Sequence, residues 1–188
     1  MHNLLNTLSV IAVSDHMGIA PGTIQKALET FRGVRRRQDV RGVERGVTIM
    51  DDFAHHPTAV RETIRAVKPF YTQGRLIAVF EPRTNSSMRD VFQEVYPTSF
   101  DGADLVCIRK PPMLSKIPEN HRFSSEKLVT DLNRNGIKAF FFDDTEGIID
   151  FLTGEAKPGD LVLVMSNGGF DNIHERLLKA LSMSSDHD

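Results

Sequence analysis

From residue 47 onward, short apolar runs alternate with stretches of helical periodicity. The runs at 47–51, 76–80, 105–108, 138–142 and 161–165 are largely β-branched or aromatic, as strands covered on both faces should be. Helices are predicted at 58–67, 87–95, 124–135, 145–152 and 170–181. Before residue 47 the pattern differs. Leu4, Leu8, Ile11 and Ala12 keep helical spacing until Gly18, and Pro21 opens a second helix with Ile24, Leu28 and Phe31 on one face. A link with arginines at 32, 35, 36, 37, 41 and 45 follows. Strands alternating with helices predict an α/β fold, a mostly parallel sheet with helices on both faces. Residues 110–122, with three prolines, read as a long loop, and 182–188 as a frayed tail.

Composition narrows the class. A chain of 188 residues, 40% hydrophobic, fits one domain of ordinary size, or one plus an appendage. A net charge of −2 does not suit a polycation built for nucleic acid or anionic lipid. Cys107, the single cysteine, sits in an apolar run and reads as a buried small hydrophobe, which suits a reducing cytoplasm. No basic-then-apolar leader pattern and no membrane-length apolar run occurs, so a soluble cytoplasmic protein is expected.

Three strand ends carry the candidate chemistry. In Asp51-Asp52-Phe53-Ala54-His55-His56-Pro57-Thr58, an apolar run ends in two carboxylates and two imidazoles, and a proline opens a helix. In an open α/β sheet, ligands are gripped just beyond the carboxyl ends of strands. A helix N-terminus there favours neutral imidazole over imidazolium. Three readings stay open: a polar ligand contact, an N-cap Asp with surface histidines, and a metal site. The last is disfavoured because no further ligand cluster is evident.

The second end is Glu81-Pro82-Arg83-Thr84-Asn85-Ser86, where Arg83 offers a planar fork for carboxylate or phosphate and the small residues add donors. The third is Ser166-Asn167-Gly168-Gly169-Phe170, where paired glycines let backbone approach a ligand and a helix start presents free N–H groups. Singly, each reads as an ordinary loop with capping residues. Together, on one edge of the sheet, they predict a site for an acidic ligand.

The run Arg35-Arg36-Arg37 reads by composition as a solvated surface, or else as a reach towards phosphates held between the helical piece and the sheet. The first two helices also permit a helix-turn-helix DNA-binding reading. The second of them carries only Lys26 as a cation, which makes that reading weak.

In order along the chain, His2-Asn3-Leu-Leu-Asn6-Thr-Leu, then Phe31-Arg-Gly-Val34 with Arg36-Arg37-Gln-Asp39, then the Asp51–Thr58 block resemble the C-terminal part of the Mur ligases, ATP-dependent amino-acid ligases of bacterial cell-wall synthesis. The resemblance spans essentially residues 2–181. It implies a Rossmann-like acceptor-binding domain at 39–181, preceded at 1–38 by the last helices and link of the central ATPase domain, with a disordered tail at 182–188. Glu81-Pro82-Arg83-Thr84-Asn85 and Met165-Ser166-Asn167-Gly168-Gly169-Phe170 are similar to the branch that joins recycled L-Ala-γ-D-Glu-meso-diaminopimelate to UDP-N-acetylmuramate. The branch that adds L-alanine instead is the alternative, and a non-catalytic peptide-binding module is a further one.

The resemblance also implies roles. His2, Asn3 and Asn6 would lie near the adenine, Arg37 at the ATP phosphates and Asp52 at the ribose. His55 would stand near the reacting carboxylate and the incoming amine, as the catalytic candidate. Arg83, Thr84, Asn85, Ser166 and Asn167 would recognise the peptide acceptor. The implied reaction phosphorylates the lactyl carboxylate of UDP-N-acetylmuramate with ATP. The tripeptide amine then attacks the acyl phosphate, with Mg2+ offsetting phosphoryl charge. No G-x-x-x-x-G-K-[ST] occurs in the chain, so the phosphate cradle, the magnesium ligands and the UDP-binding domain are expected upstream, and the 188 residues are expected to be inactive alone. The expected partners are those missing N-terminal and central domains and the two substrates, with no nucleic acid, membrane or protein-bound metal.

Overall fold

The computed structural model describes residues 2–31 and 33–183, the side chains of His2 and Asn3 excepted. The chain divides into two compact units at Arg35/Arg36. The first holds α1 (His2–His16) and α2 (Pro21–Thr30). Gly18, at φ +74°, supplies the left-handed residue that follows α1, and Pro21 opens α2 where a missing N–H costs nothing. α2 buries none of its residues, and Leu4, Leu5, Leu8 and Val13 of α1 are all more than half exposed.

The second unit is built on a six-stranded sheet in the order β1-β2-β6-β3-β4-β5. Its strands are β1 (Asp39–Glu44), β2 (Val47–Asp52), β3 (Leu76–Phe80), β4 (Leu105–Arg109), β5 (Lys138–Phe142) and β6 (Leu161–Met165). All neighbours pair in parallel except β1, which runs antiparallel to β2. The helices are α3 (Pro57–Val67), α4 (Ser125–Arg134), α5 (Thr145–Glu155) and α6 (Ile173–Met183). Side chains alternate between faces, as strand geometry requires. Leu76, Ala78 and Phe80 join a core with Val60, Ile64, Tyr96, Phe100 and Leu128, while Ile77 and Val79 join one with Ile148, Leu152, Ile173 and Leu177. Helices therefore cover both faces, and Cys107 is wholly buried in the second core.

The sequence pattern misses three local features. β1 falls inside what reads as a basic link. Its Val40 and Val43 are half exposed on the sheet edge, so no apolar run marks it. The hairpin to β2 turns at Arg45 and Gly46, both at positive φ (+50° and +73°), the requirement of a tight two-residue turn. A bulge between Val40 and Gly42 shifts the register, and a Cβ on Gly42 would press on Leu178 at 3.0 Å.

The helix predicted at 87–95 is not formed; 3-10 turns occupy Asp90–Phe92 and Tyr96–Phe100. Thr84 and Ser87 exchange hydroxyl and amide hydrogen bonds at 2.7–3.0 Å, offering the backbone a local alternative to a helix. Arg89 bridges to Arg122, and the Phe123 amide donates to the Met88 carbonyl at 3.0 Å, which ties this segment to the following loop. That loop is interrupted by 3-10 turns at Leu114–Lys116 and Glu119–His121.

The last helix starts at Ile173 rather than at 170. Phe170, Asp171 and Asn172 form a separate turn with φ of +45°, +48° and +54°. Left-handed backbone at three non-glycine residues is strained and has to be held by its surroundings. Asp171 is so held, accepting from Arg109 Nη2 at 2.7 Å and from Thr145 Oγ1 at 2.8 Å. At the C-terminus, Ser182 and Met183 belong to α6, and the expected tail at 184–188 otherwise lies outside the described residues.

Candidate functional site

Parallel pairing brings three strand ends side by side. Asp52 is in register with Met165, and Phe80 is in register with the same Met165 across the other edge of β6. The segments that leave β2, β6 and β3 thus meet at one rim of the sheet, at the carboxyl ends where an α/β fold holds ligands.

The β2 segment is the most tightly fixed. Asp52 Oδ1 accepts from the Ala54 amide at 2.8 Å and from Thr63 Oγ1 at 3.3 Å, while Oδ2 accepts from the Gln38 amide at 3.0 Å. Burial raises its pKa, against the pull of those amides and of the Arg37 charge. Only 2% exposed, Asp52 works within the loop here. Next to it, burial pushes the Asp51 carboxyl up, but His174 and Arg36 together bring it below the ordinary aspartate range.

The two histidines differ. His56 is the N-cap of α3, with Nδ1 accepting from the Thr58 amide at 3.3 Å, so that nitrogen is unprotonated. A histidine thus takes the capping place that an aspartate would usually fill. His55 Nδ1 lies 3.0 Å from the Phe53 carbonyl, which can only accept. Nδ1 therefore carries a proton. Tyr96 Oη donates to the His55 carbonyl at 2.6 Å and fixes the backbone beneath the ring.

The β3 and β6 segments interlock. Ser166 Oγ donates to Glu81 Oε1 at 2.7 Å and accepts from the Gly168 amide at 2.9 Å. The stem of Arg83 lies across Gly168, where an added Cβ would fall 2.2 Å from Arg83 Cδ. Only glycine permits that approach. Asn167 Oδ1 is buried and has no hydrogen-bond partner among the described residues. Thr84 is spent on the turn with Ser87, and exposed Asn85 accepts from Arg89 Nε at 2.9 Å.

Of the residues singled out in the sequence, His55, Arg83, Ser166 and Asn167 are gathered on this rim. Arg37 is exposed beside it, its guanidinium 5.7 Å from the Phe53 ring centre. Asn6 is exposed on α1 in the other unit, and the expected adenine contacts of His2 and Asn3 lie outside the described residues.

Buried contacts that the sequence does not show also shape the rim. Arg36 turns inward: Nε donates to Asp51 at 3.1 Å, and Nη2 donates to the Ser166 and Gly168 carbonyls at 2.7 Å each. Arg109 ends β4 and donates to the fully buried Glu81 as well as to Asp171. The available signal was a charged residue closing an otherwise apolar run. Beside Arg36, a cavity of about 150 Å³ is lined by Arg41, Asp51, Gly168, Asn172 and His174. Among the described residues, no three His, Cys, Asp or Glu side chains come together to hold a metal, and no helix is long and apolar enough to cross a membrane.

Arginines, an imidazole and glycine-backed amides meet at one rim of a mostly parallel sheet that helices cover on both faces, the architecture of an α/β domain. Comparison with known proteins makes this specific: over residues 35–168 the chain matches the family described as Mur ligase, glutamate ligase domain, and it belongs to that family. It is 37% identical, over 98% of its length, to the UDP-N-acetylmuramate–L-alanyl-γ-D-glutamyl-meso-2,6-diaminoheptandioate ligase of Escherichia coli K12. It is 32% identical, over 96% of its length, to the UDP-N-acetylmuramate–L-alanine ligase of Desulforamulus reducens. Each of these matches covers 38% of the relative's own length, so the chain spans about two fifths of the curated relatives it matches. Among solved structures, a murein peptide ligase from Psychrobacter arcticus superposes with a TM-score of 0.76 at 31% identity, over 97% of this chain and 37% of that one.

Proposed function

We propose that these residues form the acceptor-binding portion of a cytoplasmic ligase that joins L-Ala-γ-D-Glu-meso-diaminopimelate to UDP-N-acetylmuramate in peptidoglycan recycling. The observation that carries this reading is the rim itself. Arg83 is backed by Gly168 and its guanidinium has no hydrogen bond among the described residues, while Asn167, next to Gly168, has a buried side-chain oxygen likewise unpartnered among them. A peptide bearing several carboxylates and an ammonium group needs such a set of donors and acceptors. The 37% identity to a ligase named for this tripeptide supports the choice of acceptor.

In the whole ligase, ATP and UDP-N-acetylmuramate are co-substrates, and the acyl phosphate forms on the lactyl carboxylate. The part played by this chain is to seat the amine. Holding an amine in line with its target can contribute ~7–11 kcal/mol in favourable cases. His55, whose Nε2 has no hydrogen bond among the described residues, would accept a proton as the alanine amine attacks. Arg37 is the exposed cation for ATP phosphates. Asp52 would meet a ribose only through its remaining lone pair, once the Gln38 loop gave way. The described residues offer no three-ligand cluster, so Mg2+ would be held by the phosphates and by the upstream domains with which this portion works. The 188 residues contain no P-loop and should show no ATP turnover by themselves.

The 32% identity to an L-alanine-adding ligase supports a second reading, in which the acceptor is free L-alanine. Calorimetry on the purified chain separates the two. Binding of the tripeptide with no heat from L-alanine is expected; the reverse order would reject the tripeptide reading.

A further inference from the structure

Two arginines and one buried carboxylate meet behind the rim. Glu81 is fully buried at the end of β3. One of its oxygens accepts from Ser166 Oγ, and the other accepts from Arg109 Nη1. Arg83 Nη1 stands 3.7 Å from that same oxygen, Oε2, an ion-pair distance beyond hydrogen-bond reach.

The two cations are held very differently. The Arg109 side chain is 10% exposed, donates also to Asp171 Oδ2 at 2.7 Å, and lies 5.6 Å from the Phe170 ring centre. Arg83 has a 33% exposed side chain and, among the described residues, a guanidinium with no hydrogen bond. A buried carboxylate has to be neutralised by a partner, and among the described residues Arg109 is the one cation hydrogen-bonded to this carboxylate.

We propose that Arg109 is a positioning residue: by neutralising Glu81, it keeps the Arg83 guanidinium off that carboxylate and presented to an anionic acceptor. This deepens the proposed function and rests on its assignment of Arg83 to the acceptor. Without Arg109, Glu81 would be left buried with Arg83 as its nearest cation among the described residues, and a movement of under 1 Å would close the bond. Arg83 would then be lost to the ligand. The arrangement differs from simple scaffolding because it depends on charge: neutralising Glu81 at the same time should release Arg83 again.

The test uses the 188-residue chain in three forms, Arg109→Gln, Glu81→Gln/Arg109→Gln and Arg109→Lys, with crystal structures, arginine side-chain NMR and tripeptide calorimetry. In Arg109→Gln, the Arg83 guanidinium should hydrogen-bond Glu81, its N–H signals should become protected, and tripeptide Kd should rise roughly tenfold to a hundredfold. In the double variant, Arg83 should return to solvent and affinity should recover. Arg109→Lys, which keeps a cation against Glu81 and is the safer change for folding, should leave Arg83 unbonded and weaken binding less. An unbonded Arg83 in Arg109→Gln, a double variant as weak as the single one, or an Arg83–Glu81 bond in Arg109→Lys would each overturn the proposal. Arg83's position is read without peptide, so it decides the inference even if Arg83→Met leaves tripeptide binding intact, a result that would reject only the acceptor assignment.

Discussion

Arg36 and Asp51 form the clasp of the rim: Nε of the arginine donates to the buried carboxylate at 3.1 Å, while Nη2 of the same guanidinium holds the Ser166 and Gly168 carbonyls. One side chain from the link thus fixes the turn after β6 against β2. Replacing Arg36 by alanine removes three charge-assisted hydrogen bonds and leaves Asp51 with His174, whose Nε2 is 3.4 Å away. Hydrogen bonds to charged groups contribute about 1.5–3 kcal/mol each when well shielded. The Arg36 side chain is 29% exposed, so a total loss near the lower figure, about 1.5 kcal/mol, is expected in urea unfolding.

Two glycine-to-alanine changes should separate stability from binding. At Gly74, a Cβ would sit 2.4 Å from the Gly159 carbonyl carbon, so backbone would have to move, at a cost of about 1–3 kcal/mol or more. At Gly168, the clash is with Arg83 Cδ and Nε, and a flexible side chain can swing away. Gly168→Ala should therefore unfold within about 0.5 kcal/mol of the parent chain yet lose tripeptide affinity. Thermal unfolding and calorimetry on both variants check the contrast.

Acid should destabilise the second unit through its buried aspartates. Burial pushes Asp160 up, but hydrogen bonds from the Arg75 side chain and amide and from Lys157, together with the Arg75 charge, bring it below the ordinary range; Asp51 is lowered likewise by His174 and Arg36. A carboxyl lowered on folding contributes stability that is present above its unfolded pKa, about 3.9, and lost as pH falls through the folded value. Asp52, raised by burial, acts in the opposite sense and recovers stability as pH drops. Two groups against one predict a net loss below about pH 4. In Asp160→Asn, urea midpoints measured from pH 7 to 3 should change less steeply.

Five strands were legible in the sequence because each is a short, mostly apolar run of strand-forming residues between helical stretches. β1 was not, since Val40 and Val43 face outward and Arg41, with the arginines on either side of the strand, makes the stretch resemble a linker. The segment around Ser87 has helical spacing but loses its helix to hydroxyl–amide bonds between Thr84 and Ser87 and to the bridge with Arg122. The rim was legible for a general reason: parallel strands aim their carboxyl ends at one edge. What lies behind it was not. Glu81 and Arg109 are 28 positions apart, and Arg36 is 130 from Ser166, distances over which no local pattern reports a contact.

The central claim is that the ends of β2, β3 and β6 make one acceptor site, and amide NMR of the 188-residue chain titrated with L-Ala-γ-D-Glu-meso-diaminopimelate tests it most directly. Shifts concentrated at 53–56, 81–86 and 166–170 are predicted. No shifts at saturating peptide, or shifts confined to the opposite end of the sheet around Gly46 and Gly159, would contradict it.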